Sequence, residues 1–79
     1  MFIKTINPIG TEIFVKSDCI SAVKIEVYAA DHSYYDVCVH TNNCWLNCRT
    51  FENMDEAKEY RDNLIVMLDH PAEFERAMI

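Results

Sequence analysis

One stretch, residues 53–68 (NMDEAKEYRDNLIVML), carries a long helical pattern, and everything before it reads as strand. At about 100° per residue, Ala57, Tyr60, Leu64, Met67 and Leu68 fall on one side. Asp55, Glu59 and Asp62 fall on the other, with Val66 among them. Asn53 suits an N-cap, and Glu56 is placed to reach back to the cap amide. Asp55 and Glu56 put negative charge in the first turn, where the helix dipole favours it. Pro71 disfavours helical geometry in the residue before it, so the helix should stop near Asp69 or His70. A lone helix with so wide an apolar stripe has no helical partner. It needs a sheet face to cover.

The sheet is written upstream. Strand patterns occupy residues 2–6, 11–16, 19–30, 34–41 and 44–51, separated by the turn signals Asn7-Pro8-Ile9-Gly10, Ser17-Asp18, Asp31-His32-Ser33 and Asn42-Asn43. In the third, Val23, Ile25, Val27 and Ala29 alternate with Ala22, Lys24, Glu26 and Tyr28, the period of a half-buried strand. Asn42-Asn43 suits a two-residue hairpin loop because Asn tolerates positive φ. That loop pairs His40 with Trp45, Val39 with Leu46, Val37 with Cys48 and Asp36 with Arg49. A three-residue loop at 31–33 likewise pairs Val27 with Val37 and Ile25 with Val39. Residues 71–79 (PAEFERAMI) suit a short second helix, with proline in the first turn and Phe74, Ala77 and Met78 on one side. The fold expected is a single α+β domain over residues 1–79. It has an antiparallel sheet of four or five strands, the main helix across one face and a short terminal helix.

A domain of 79 residues buries about 60–65% of its unfolded surface. Half of the residues are hydrophobic, enough for a core without metal or disulfide. No apolar run approaches the ~18 residues of a membrane span, and MFIKTINPIG lacks the apolar core of a signal peptide. Cytoplasmic placement with reduced cysteines follows as an expectation. The net charge is −6, and from Glu52 onward eight acids face three bases. Such a balance disfavours direct contact with a nucleic-acid backbone and favours a protein partner with a basic surface.

Two surfaces stand out as partner-binding candidates. The outer sheet face would carry Tyr28, Tyr34, His40, Trp45 and Phe51 among Lys24, Glu26, Asp36 and Arg49, the composition of an interface hot spot. Cover by the terminal segments is the ordinary alternative, and self-association into a homodimer is another use of the same face. The acidic side of the helix, Asp55, Glu59 and Asp62, repeats along one edge as phosphates do and could mimic nucleic acid toward a basic groove. An ordinary solvated helix face would look the same.

Metal and catalytic readings are weaker. Cys38, Cys44 and Cys48 are spaced C-x5-C-x3-C, without the close pair of a structural zinc turn. Small buried cysteines are common core residues. A cysteine nucleophile with His40 or His70 lacks a positioning motif, and there is no glycine-rich phosphate loop. No catalytic, cofactor or metal residue is assigned.

Small size, one sheet with a covering helix, strong acidity and no catalytic signature together resemble the phage-encoded anti-CRISPR proteins. The resemblance is one of class and transfers no residue's role. It implies a stoichiometric inhibitor that binds a CRISPR effector subunit and blocks DNA recruitment or nuclease engagement. The passage from last strand to helix, TFENMDEA at 50–57, is also similar to that of short regulatory or scaffold modules. That resemblance implies a domain that binds a host protein without inhibiting it.

Overall fold

The computed structural model describes residues 1–27 and 33–69. Five strands, β1 (Phe2–Ile6), β2 (Glu12–Lys16), β3 (Ala22–Val27), β4 (Tyr35–Thr41) and β5 (Cys44–Phe51), precede one helix, α1 (Met54–Asp69). A 3-10 turn, Ser17–Cys19, lies between β2 and β3. All pairings are antiparallel, in the order β2-β1-β5-β4-β3. The expected α+β architecture is what forms. The terminal helix expected at 71–79 lies outside the described residues, as do Tyr28 and most of the loop at 31–33.

Local chemistry sets the joints. In the β1–β2 turn, Asn7 Oδ1 accepts the backbone N–H groups of Ile9 (3.1 Å) and Thr11 (2.9 Å). The turn closes with Gly10 at φ +88°, a conformation that costs most residues strain and glycine none. Asn42 and Asn43 both have positive φ (49° and 62°), as a two-residue hairpin twisted to match its strands requires. At α1, Asn53 Oδ1 accepts the N–H groups of Asp55 (2.8 Å) and Glu56 (3.2 Å), satisfying two otherwise orphaned donors.

The helix packs chiefly on β3, β4 and β5. Ala57, Leu64 and Met67 seal a core with Ile3, Val15, Val37, Val39 and Leu46, and Tyr60 and Leu68 pack at its border. Thr5 is fully buried among these, and its hydroxyl donates to the Ile13 carbonyl at 2.7 Å.

Two register expectations are corrected. The β4–β5 ladder follows the predicted pairing from Thr41–Cys44 to Cys38–Asn47 and then shifts by one: Val37 opposes Arg49, Asp36 opposes Thr50 and Tyr35 opposes Phe51. Cys48 is the extra residue of a β-bulge. Because side chains alternate, one added residue exchanges the faces of everything after it. Phe51 therefore packs on the helix side against Tyr60 (ring centroids 5.4 Å apart), not on the outer face. Arg49 lies over those rings, 5.1 Å from the Phe51 centroid, and does not pair with Asp36. On the other flank, Ile25 opposes Val37 and Val23 opposes Val39, two residues from the expected register. A shift of two preserves the faces, so Val23 and Ile25 pack against the core as expected, whereas Val27 lines a cleft with Glu26 and Asp36 and Ala29 lies outside the described residues.

Candidate partner-binding surfaces

Opposite the helix, the sheet presents its outer face. Lys24 opposes Cys38, Glu26 opposes Asp36, Ala22 opposes His40 and His40 opposes Trp45, so these side chains form one two-dimensional array. The ring centroids of His40 and Trp45 are 5.0 Å apart, and Ser21 Oγ lies 2.9 Å from His40 Nδ1. Lys24 Nζ sits 4.3 Å above the Trp45 ring and 3.1 Å from a Glu26 carboxylate oxygen. On the far side, Asn47 Nδ2 donates to Thr50 Oγ1 (3.0 Å), and Thr50 donates in turn to Asp36 Oδ1 (2.6 Å).

Ile6 pairs with Asn47 and brings the end of β1 beside this array. A cleft of about 530 Å³ results, lined by Ile6, Asn7, Pro8, Glu26, Val27, Asp36, Cys38, Trp45 and Asn47. Two of these residues are acids and none is basic. Burial, and next the carboxylates of Asp36 and Glu26, push the Cys38 thiol up to about 11, with Lys24 opposing. Asn47 Oδ1 is buried with no hydrogen-bond partner among the described residues.

Of the sequence candidates, Asp36 and Trp45 are thus brought to one cleft, and Tyr28 lies outside the described residues. Asp55, Glu59 and Asp62 are exposed on the side of α1 away from the sheet, so they form a separate surface. Of these three, Asp62 alone has an ion-pair partner among the described residues, the adjacent Arg61 at 3.0 Å. Val66, 56% exposed, continues the stripe. Exposed side chains also extend the outer face onto β1 and β2, where Phe2 and Phe14 are each 61% exposed. Sequence reasoning missed Ile6, Pro8 and Asn47 as cleft residues. They meet through the pairing of β1 with β5, distant in sequence, for which no turn signal exists.

The cysteines are free thiols: Cys38 is buried, Cys48 half-buried, Cys19 and Cys44 exposed. Burial, and next the neighbouring Cys38, raise Cys48 to about 11 as well. Among the described residues no three His, Cys, Asp or Glu side chains are grouped to hold a metal ion. Nor is any described helix long and apolar enough to cross a membrane. Compared with known proteins, the chain matches no family model, no curated protein and no solved structure.

Proposed function

We propose that this domain is a non-enzymatic binding module that occupies a basic, nucleic-acid-binding surface of another protein. A bacterial defence complex of the CRISPR-Cas type is the target that the class resemblance suggests. The observation that carries the reading is the exposure of Asp55, Glu59 and Asp62 along one edge of α1, whose other side is committed to the core. Residues spaced i, i+4, i+7 fall on one face, so the three carboxylates form a row of like charge that a basic groove attracts. Binding would be steered by charge and weakened by salt. The setting is the cytoplasm of the bacterial host.

The second reading is a scaffold or regulatory module that self-associates or binds a host protein through the sheet face. The exposure of Phe2, Phe14 and Trp45 on that face favours it.

Phage plaquing separates the two readings. Expressed in CRISPR-immune bacteria, the chain should restore plaquing of a targeted phage. The variant Asp55→Lys with Asp62→Lys should not, while keeping the native circular dichroism spectrum. Equal restoration by both proteins would remove the acidic face from the mechanism.

A further inference from the structure

The outer-face cleft has a more specific chemistry than its aromatic character suggests. Glu26 and Asp36 are directly opposed across β3 and β4, an arrangement of like charges that weakens a ladder unless a cation relieves it. Part of that relief is internal. One ammonium group, Lys24 Nζ, touches both a Glu26 oxygen (3.1 Å) and the Trp45 ring face (4.3 Å). The chain therefore already shows a cation accepted between carboxylate and indole. Lys24 reaches this position from the same strand, two residues from Glu26, and stands outside the cleft lining, which contains no base among the described residues. The bond from Thr50 engages Asp36 Oδ1, and Asn47 Oδ1, in the cleft wall, has no hydrogen-bond partner among the described residues.

We propose that this cleft receives the guanidinium of an arginine side chain on a basic protein partner, stacked on Trp45 and bonded to Glu26 and Asp36. A guanidinium suits the site better than an ammonium. It is planar, so it can lie on the indole, and its forked N–H donors can serve two carboxylates at once. Lys24 is then a placeholder that the ligand displaces from the ring. The proposal is independent of the acidic face of α1 and needs no particular partner.

Trp45 is the only tryptophan, so its fluorescence reports on the cleft directly. The experiment is a titration with capped tetra-arginine and tetra-lysine peptides at about 0.15 M salt, where the Debye length is about 8 Å, variant folds being checked by circular dichroism. A saturable change with tetra-arginine, tighter than tetra-lysine by roughly threefold or more, is expected from stacking and bidentate bonding. Glu26→Gln with Asp36→Asn should weaken it by about tenfold, the loss of charge-assisted bonds. Asp55→Asn with Asp62→Asn removes the same charge from the other surface and should leave affinity within about twofold, screened by distance. Lys24→Met should tighten binding by freeing the ring. Equal losses from the two double variants would reduce the interaction to net charge and overturn the proposal. Absence of a saturable change, or weakening by Lys24→Met, would overturn it equally. Because altering the helix carboxylates is the control here, by neutralisation, and the cause of loss in the plaquing assay, by reversal, the two proposals fail separately.

Discussion

Phe51 and Tyr60 meet at the sheet–helix interface, ring centroids 5.4 Å apart and planes inclined at 51°, because Cys48 stands as an extra residue in β5. Without the bulge Phe51 would project from the opposite face and leave Tyr60 without this ring contact. Arg49, on the same side, closes the pair from above at 5.1 Å from Phe51 and 6.0 Å from Tyr60. The two rings should therefore be coupled. A double-mutant cycle with Phe51→Leu and Tyr60→Leu, read by urea unfolding, should give about 0.5–1.5 kcal/mol of interaction energy. Strict additivity would contradict the packing described.

The helix start depends on one amide side chain. Asn53→Ala should lower stability by about 1 kcal/mol by orphaning the N–H groups of Asp55 and Glu56, and Asn53→Asp should be nearly neutral. Unfolding midpoints at constant denaturant slope decide the matter. An unchanged midpoint for Asn53→Ala would contradict the cap.

Gly10 is required for its backbone and not for space. A Cβ there would meet nothing within 4 Å, while φ is +88°. Gly10→Ala should cost about 1 kcal/mol, and Gly10→Asn clearly less, because Asn tolerates the left-handed region. Thermal unfolding of the two variants should rank them in that order. Equal costs would imply a steric cause instead.

The thiols divide by exposure. At pH 8, alkylation mapped by mass spectrometry should reach Cys19 and Cys44 first and Cys38 and Cys48 last. Cys38 and Cys48 are both raised by burial from the ordinary 9.0 to about 11. Above pH 9 the unfolded chain therefore releases protons that the folded chain retains. Stability should be fully present below pH 9 and fall between about pH 9 and 11, with Tyr60 displaced upward by burial in the same direction. Rising stability across that window, or early modification of Cys38, would contradict this arrangement.

Much of the fold was legible because its signals are local. The alternation of β3, the Asn42-Asn43 turn and the apolar stripe of α1 each follow from a few neighbouring residues. The faces of β3 survived a register shift because the shift was two, which leaves alternation unchanged. Phe51 and Arg49 were misplaced because a bulge leaves no compositional mark at Cys48, and one residue reverses every side chain beyond it. The candidate surfaces were legible in part. Charge periodicity located Asp55, Glu59 and Asp62. The cleft depends on Ile6 meeting Asn47, 41 positions further along the chain, and the cation–indole contact beside it depends on Lys24 bending over Trp45. Neither is written in a local pattern.

The most direct test of the central claim is a competition measurement. A purified CRISPR effector complex is loaded with labelled target DNA, and the domain is added in excess while bound DNA is followed by gel shift. The account predicts displacement of DNA by the native chain, weakening as salt rises, and none by Asp55→Lys with Asp62→Lys. Binding of the native chain with the DNA still held, or displacement by the charge-reversed variant, would contradict it.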